Sequence, residues 1–278
     1  MDDGAHFAAF SFVDRITHFE PARRARGEFA VPASIAGFPA CLVAEAVGQL
    51  AAWVAMEAIS FRGRPVAALA DQTRFHGTVR PGETLALAVE IESCDDDAVA
   101  YRGSAHVGER LVIELADCLG PMLPVADFDA PEALAARLEL LRGSGAQPGR
   151  FRGVEPAPVT PIDGEPGAAL LHVPASAPFF ADHFPRRPVY PGTLLLDALA
   201  GLALDVAREA LPAAAGTMSV QAVHDVKIRS FTPPGALLDL SVDLIEAADT
   251  SVRLKLGARA KGKAVAQARI EIGTGGTR

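Results

Sequence analysis

The pattern of apolar and polar positions changes its period along the chain and predicts both helices and strands. Residues 193–204 are apolar at nearly every position, which is typical of a helix that is buried on every side, and residues 40–60 predict a second apolar helix. Pro39 and Pro191 stand just before these stretches, where a proline is well placed to start a helix. Elsewhere the period is two, which predicts strands at residues 23–31, 84–91, 98–107 and 110–118.

The two halves of the chain repeat one another. Six positions separate Pro39 from Glu45, and six separate Pro191 from Asp197. Two further pairs of segments match, namely Arg80-Pro81-Gly82 with Pro233-Pro234-Gly235, and Val31-Pro32-Ala33-Ser34 with Val173-Pro174-Ala175-Ser176. A repeat of this length predicts two copies of one fold, each with a helix followed by a meander of strands.

The copies differ in the segment before the helix. Eight positions separate Val31 from Pro39, but eighteen separate Val173 from Pro191. The first copy therefore lacks about ten residues, and these are the residues that carry His183 in the second copy.

The two predicted helices also carry different polar residues. The first has Glu45 and, four positions later, Gln49, so both lie on one helix face. The second has Asp197, followed at the equivalent spacing by Gly201. An acid inside an apolar helix must be paired, hydrogen-bonded or functional.

The segment around His183 is a loop stiffened by three prolines, and it opens directly into the second helix. The first backbone N–H groups of that helix have no intrahelical partner and favour negative charge. A lone histidine is more often structural than catalytic. The combination of a histidine in a rigid loop, a helix N-terminus and a buried acid nevertheless suits proton abstraction next to a carbonyl group.

The loop carries a specific motif, His183-Phe184-Pro185-Arg186-Arg187-Pro188-Val189-Tyr190-Pro191-Gly192, with Asp197 fourteen positions after the histidine. This motif resembles the active-site segment of the beta-hydroxyacyl-acyl-carrier-protein dehydratases of fatty-acid synthesis. Phe12-Val13-Asp14-Arg15 is also similar to the opening segment of those enzymes, which usually reads Leu-Val-Asp-Arg. Arg186 stands where many members have Gly, and Tyr190 where many have Met. These departures affect the expected acyl-chain preference more than the expected chemistry.

The resemblance implies an α+β fold, the double hotdog, in which two curved antiparallel sheets each wrap around a long central helix and form a pseudo-dimer in one chain. We expect an N-terminal hotdog at residues 1–125, a linker at 126–152 and a C-terminal hotdog at 153–278. A surface helix is predicted at Asp127–Arg142, capped by Asp129. Residues 143–149 read as a flexible linker by composition.

The resemblance also implies how the site is built. In the family, the histidine of one hotdog works with the acid of its neighbour across a twofold axis, and the N–H of the glycine that opens the helix binds the substrate oxygen. Transferred to this chain, His183 would pair with Glu45, supported by Gln49, and Gly192 would supply the N–H. Asp197 remains the alternative acid for His183.

The expected reaction is dehydration of a 3-hydroxyacyl thioester, linked to acyl carrier protein or to coenzyme A, to the trans-2-enoyl thioester. Thr193 and the aromatic residues Phe179, Phe180, Phe184 and Tyr190 are candidates for the substrate site, although each aromatic could equally be an ordinary core residue. Arg186 and Arg187, or Arg23, Arg24 and Arg26 in the other half, would suit an acidic carrier protein if they are not simply solvated. Two alternatives remain: an acyl thioesterase, and a catalytically reduced module that binds acyl carriers.

Composition narrows the function classes. The net charge of −8 argues against a nucleic-acid partner, and no stretch free of charge approaches the length of a membrane span. The three cysteines, Cys41, Cys94 and Cys118, have no disulfide or metal spacing. Together with an acidic start that lacks a signal-peptide layout, they predict a reduced, cytoplasmic protein. The sequence has no Gly-rich nucleotide loop and no Cys/His zinc pattern, so no metal or organic cofactor is expected. We expect either a monomeric pseudo-dimer or a homodimer, and no residue decides between them.

Overall fold

A computed structural model describes residues 6–274. The acidic start of the chain, on which part of the cytoplasmic prediction rests, lies outside the described residues. The first half contains β1 (Arg15–Glu20), β2 (Arg24–Ala30), α1 (Ala40–Ala58), β3 (Gly63–Pro65), β4 (Leu69–Phe75), β5 (Thr84–Cys94), β6 (Ala98–Val107) and β7 (Arg110–Pro124). The helix α2 (Pro131–Arg142) follows. The second half contains β8 (Val159–Pro161), β9 (Ala168–His172), α3 (Gly192–Ala210), β10 (Met218–Ile228), β11 (Leu237–Ala248), β12 (Ser251–Ala260) and β13 (Lys263–Thr274).

The strands of the described residues form one continuous antiparallel sheet. Its order is β1-β2-β5-β6-β7-β4-β10-β13-β12-β11-β9-β8, with β3 paired to β7 beside this path. The halves meet where β4 pairs with β10, in a register that places Thr73 opposite Val223. The two hotdogs therefore lie side by side and share one sheet, as the predicted pseudo-dimer requires. The exact domain boundaries stay a prediction.

Matching turns support the internal repeat. Gly82 and Gly235 both have positive φ, 89° and 73°, a backbone conformation that glycine adopts without steric cost. A Cβ at Gly82 would meet Ala33, and one at Gly235 would meet Ala175, the matching residue of the other copy. The sequence repeat is therefore also a repeat of local structure.

Helix α1 is the core helix of the first half. It packs against β2, β5 and β6, and it buries a continuous apolar face that includes Leu42, Val43, Ala46, Val47 and Leu50. Burial of each such leucine contributes roughly 1.5–3 kcal/mol. Among the described residues, α1 is the one helix that is long and apolar enough to cross a membrane by length and composition, but 56% of its most apolar window is buried inside the protein.

Helix α3 corrects the prediction of a helix buried on every side. Leu194, Leu195, Leu199, Ala203 and Ala207 are buried, where the helix packs against β10, β11 and β12. Asp197, Gly201 and Asp205 are exposed. The polar positions fall on the face that turns away from the sheet, and this face is too narrow to show clearly in the sequence pattern.

Helix α2 begins later than predicted, and its cap is different. Ala130 is the N-cap, without a side-chain hydrogen bond, and Pro131 opens the helix. Asp129 is 3% exposed and receives a hydrogen bond from Arg64 Nη1 at 3.2 Å. A buried carboxylate needs a charged partner, which Arg64 provides at Oδ2. The other oxygen, Oδ1, accepts the N–H of Ala130 at 2.8 Å, so Asp129 binds the N-cap residue and not the first turn of the helix.

Candidate active site

One large cavity of about 500 Å³ lies between α1 and α3 and reaches the sheet. Most of its wall is apolar, supplied by residues such as Met56, Val99, Leu115, Leu195 and Val223. The polar residues of the wall include His183, Glu45, Gln49, Thr193 and Asp197. An apolar cavity with a few convergent polar groups is the usual form of a small-molecule site.

The loop before α3 fixes one orientation of the His183 ring. His183 Nδ1 lies 2.9 Å from the carbonyl oxygen of Val189. A carbonyl oxygen only accepts, so Nδ1 carries the hydrogen and Nε2 has the free lone pair. The loop itself is closed by the Val189 N–H, which donates to the carbonyl of His183 at 3.0 Å.

The surroundings of His183 favour its neutral form. Burial lowers the pKa of His183 below its usual value of 6.5, and the nearby Arg64 guanidinium lowers it further, against the charge of Glu45, which acts in the opposite direction. A neutral imidazole with a free Nε2 can accept a proton near neutral pH.

Helix α3 begins at Gly192, with Pro191 as its N-cap. The N–H of Gly192 is one of the first four donors of the helix, which have no acceptor within it. Gly192 also lines the cavity. This N–H is therefore available to a substrate oxygen at the positive end of the helix dipole.

Glu45, from the first half, is held by a residue of the second half. Thr193 donates its hydroxyl to Glu45 Oε2 over 2.9 Å. Gln49 Nε2 donates to Glu45 Oε1 over 3.1 Å. The structure thus brings Glu45 to the first turn of α3, next to the residues that follow His183.

Asp197, the alternative acid, has a different neighbour. Its carboxylate lies beside the Cys41 thiol of α1, and burial together with this carboxylate raises the pKa of Cys41 well above its usual value. Burial also raises the pKa of Asp197, although its side chain is open to the cavity. Cys41 and Thr193 are equivalent positions in the repeat, two after Pro39 and Pro191. The Cys41–Asp197 pair is therefore the counterpart of the Thr193–Glu45 pair, in the half without a histidine loop.

The predicted aromatic residues divide into two groups. Phe184 and Tyr190 line the cavity. Phe179 and Phe180 are 4% and 8% exposed, with ring centroids 4.6 Å apart, and neither is among the described residues that line the cavity. In this structure Phe180 packs as a core residue, and its role as a substrate contact stays a prediction. Both rings belong to a 3-10 turn, Pro178–Ala181, which packs them into the core.

The arginines predicted to meet a carrier are partly engaged within the chain. Arg186 Nη1 donates to the carbonyl of Ala126 at 2.9 Å, and Arg187 lies over the ring of Phe231 at 4.8 Å. Both are exposed and remain close to the histidine loop. On the other half, Arg23 and Arg24 pair with Glu20. Of the two sets, Arg186 and Arg187 are therefore the arginines beside the histidine loop, and their contact with a carrier stays a prediction.

Two charged residues near His183 were missed in the sequence. Asp182 precedes the histidine and is 6% exposed. The guanidinium of Arg64 lies 4.3 Å from the centroid of the Phe184 ring and lines the cavity. A charged residue in the apolar run Phe179-Phe180-Ala181-Asp182-His183 was a usable signal for Asp182, whereas no local pattern marks Arg64.

The described residues contain no group of three or more His, Cys, Asp or Glu side chains that could hold a metal ion. The polar groups that the cavity does offer are a histidine with one free ring nitrogen, a helix N–H and a hydrogen-bonded carboxylate. This arrangement can move a proton next to a carbonyl group.

Solved structures show the same architecture. A putative oleoyl thioesterase from Lactobacillus plantarum superposes with a TM-score of 0.58 at 12% identity, covering 90% of this chain and 96% of that one. The dehydratase domain of PpsC from Mycobacterium tuberculosis, solved in complex with C12:1-CoA, gives a TM-score of 0.52 at 15% identity, covering 96% and 99%. At these identities the likeness shows the double-hotdog fold alone.

Comparison of sequences identifies the family more specifically than comparison of structures does. A family model described as ApeI-like, the ApeI dehydratase, matches residues 163–269, which include the histidine loop. The 3-hydroxyacyl-(acyl-carrier-protein) dehydratase FabZ of Zymomonas mobilis is 34% identical over 111 residues, 39% of this chain and 70% of that enzyme. FabZ of Ruminiclostridium cellulolyticum is 32% identical over 115 residues, 40% of this chain and 80% of that enzyme. With most of the length of these FabZ enzymes matched and the hotdog architecture in place, the chain belongs to the hotdog dehydratase family of FabZ.

Proposed function

We propose that this protein dehydrates a 3-hydroxyacyl thioester to the trans-2-enoyl thioester in one composite site between its two hotdogs. The observation that carries the proposal is the hydrogen bond from Thr193 to Glu45, 2.9 Å long. It holds an acid of the first half against the helix that follows the histidine loop of the second half. Membership of the FabZ family supports the reaction class.

His183 is the base in the first step. The C2–H bond breaks, its proton goes to Nε2, and the electron pair moves toward the thioester carbonyl. Nδ1–H donates to Val189, so the ring is held while the proton arrives, and the carbonyl of Val189 stabilises the imidazolium that forms.

The carbonyl oxygen of the thioester gains negative charge in the same step. The N–H of Gly192 at the start of α3 donates to this oxygen, and the helix dipole adds to the stabilisation. A single donor of this kind is typically worth about 10²–10³ in rate. The neighbouring Tyr190 and Phe184 supply apolar wall around the acyl chain.

Glu45 completes the reaction at C3. The Glu45 carboxylate receives from His183 the proton taken from C2 and passes it to the departing hydroxyl, which leaves as water while the C2–C3 double bond forms. Both His183 and Glu45 then have their starting protonation states for the next turnover. Gln49 and Thr193 hold one carboxylate oxygen each, so the acid has a fixed direction.

Two alternative functions predict different outcomes with the same substrates. A thioesterase would release a free thiol, and the putative oleoyl thioesterase from Lactobacillus plantarum shares the fold. A catalytically reduced module would bind acyl carriers without turnover. The intact His183 loop and the Thr193–Glu45 bond favour dehydration over both.

Hydration of a short trans-2-enoyl thioester, the reverse reaction, tests the proposal. Both the acyl-carrier-protein and the coenzyme A forms should be offered, and loss of the enoyl absorbance should be followed alongside release of free thiol. We expect hydration by the wild type and none by His183→Ala. Thiol release without hydration would favour the thioesterase, and tight binding of the carrier without either product would favour the binding module.

A further inference from the structure

We propose that Asp182 is a positioning residue for His183, and that it acts by anchoring residues 6–12, here called the N-terminal strap, across the composite site. The inference rests on the proposed function, in which His183 is the base. Asp182 itself does not reach the reacting atoms through a free oxygen, because the strap occupies both of its oxygens.

The strap surrounds the carboxylate of Asp182 with donors. The N–H of Phe7 donates to Oδ1, and the N–H groups of Ala9 and Phe10 donate to Oδ2 at 2.8 and 2.7 Å. The hydroxyl of Ser11 adds a longer bond of 3.3 Å to Oδ2. Backbone N–H groups gathered on one carboxylate form an anion-binding nest, and hydrogen bonds to an ionised acceptor are strong ones.

The strap is also hydrogen-bonded to α1, the helix that carries Glu45. Gln49 Nε2 donates to the carbonyl of Phe10 at 2.9 Å, and the N–H of Phe12 donates to Gln49 Oε1 at 2.8 Å. The same Gln49 amide also donates to Glu45. The strap thus links Asp182, which precedes the base His183, to Gln49, which is hydrogen-bonded to Glu45.

A third attachment comes from α2. Arg137 lies over the Phe7 ring at 5.0 Å, and its Nη2 donates to the carbonyl of Phe7 at 3.5 Å. The strap therefore contacts Asp182 beside His183, Gln49 beside Glu45, and α2, the helix that connects the halves. This explains how residues far apart in the sequence keep one geometry between the two hotdogs.

The strap also touches His183 directly. The rings of Phe10 and His183 meet edge to face, with centroids 5.5 Å apart. His183 follows Asp182 in the chain, and the N–H of His183 donates to the carbonyl of Phe179 at 2.9 Å. When Asp182 no longer binds the strap, the His183 ring loses the support of the residue that precedes it and the packing of Phe10. The Nδ1–H to Val189 bond then no longer determines which ring nitrogen carries the hydrogen.

The tautomer of His183 is the readout, because a merely structural role would not change it in folded protein. Nitrogen-15 shifts of the ring should be recorded at about pH 8, where an imidazole with a lowered pKa is neutral, for the wild type and Asp182→Asn. We expect the Nδ1–H form to dominate in the wild type and the two tautomers to mix in Asp182→Asn. The variant should also lose about tenfold or more in kcat with little change in KM.

Asp95→Asn is the matched control. Asp95 is also a carboxylate that accepts backbone N–H groups, from Asp97 and Ala98, both at 2.9 Å, but it lies in the turn between β5 and β6 and is not among the described residues that line the cavity. Asp95→Asn should keep the wild-type tautomer and kcat. Asp182→Glu, which keeps the charge but moves it by one methylene, gives a second measurement if Asp182→Asn does not fold, and an intermediate tautomer ratio is expected.

A folded Asp182→Asn with the wild-type tautomer and kcat would overturn the positioning role. The tautomer can be measured without turnover. If the wild type hydrates no enoyl thioester, the proposed function fails, while a tautomer change in Asp182→Asn would still show that the strap positions the ring.

Discussion

Thr193 donates its hydroxyl to Glu45 over 2.9 Å, and this bond joins the first turn of α3 to the second turn of α1. The repeat contains the same contact in reverse, where Cys41 of α1 lies beside Asp197 of α3. Two equivalent acid sites therefore exist in one chain, but only the first faces the half with a histidine loop. Under the proposed function, the first copy's lack of about ten residues accounts for one composite site where two were possible.

Thr193→Val should lower activity by removing the hydroxyl that holds Glu45 while keeping the shape of the side chain. Hydrogen bonds to charged groups are worth about 1.5–3 kcal/mol, so we expect a decrease in kcat of about 10- to 100-fold. Thr193→Ser retains the hydroxyl and should stay within about threefold of the wild type. Steady-state kinetics of enoyl-thioester hydration measures both. Equal loss in the two variants would mean that packing of the methyl group, not the bond to Glu45, is what matters.

Glu45→Gln and Asp197→Asn separate the two candidate acids. Removal of a general acid typically costs about 10²–10⁴ in rate, and we expect this loss for Glu45→Gln. Asp197→Asn should remain within about threefold, because its neighbour is Cys41 and not the histidine loop. Thermal unfolding of both variants controls for loss of structure. A dead, folded Asp197→Asn with an active Glu45→Gln would reverse the assignment.

Local pattern was enough to predict helices α1 and α3, four of the strands in the first half, the repeat and the histidine motif. Pro39, Pro191 and the turn glycines Gly82 and Gly235 determine backbone geometry through their own covalent structure, so their effect can be predicted without knowing the rest of the fold. Thr193 was a candidate for the substrate site, but its bond to Glu45 could not have been derived from sequence spacing.

The rest of the site depends on contacts between distant residues. Asp182 meets residues more than 170 positions earlier, and Arg64 meets Asp129 across 65 positions. Neither pair leaves a periodic signal. Sequence spacing could not separate Phe180 from Phe184 for a related reason, since an aromatic residue near a site packs into the core or lines the cavity with the same sequence signature.

The pH dependence of activity should follow His183. Burial lowers the pKa of His183 below 6.5, and the base must be neutral, so kcat/KM should stay high at neutral pH and fall only as the pH drops through this lowered pKa. The acid limb should therefore lie below about 6.5. The pH profile of kcat/KM for a non-sticky substrate measures it. An acid limb above the usual histidine value would contradict the neutral, buried base.

The stability of the protein should depend on the protonation of Asp14. Burial raises the pKa of Asp14 to about 6, against the lowering effect of the Ala30 N–H. The sign follows from linkage, because a carboxyl whose folded pKa exceeds its unfolded value favours the folded state below the unfolded value. That contribution is lost as the pH rises through about 6.

Asp14→Asn keeps an acceptor for Ala30 and removes the buried charge. We expect it to stabilise the protein by on the order of 1–3 kcal/mol at pH 8, with the lower figure allowing for solvent screening, and to change little at pH 4. Urea unfolding at the two pH values measures this difference, and destabilisation of equal size at both would show that the Asp14 carboxylate is paired more strongly than its burial implies.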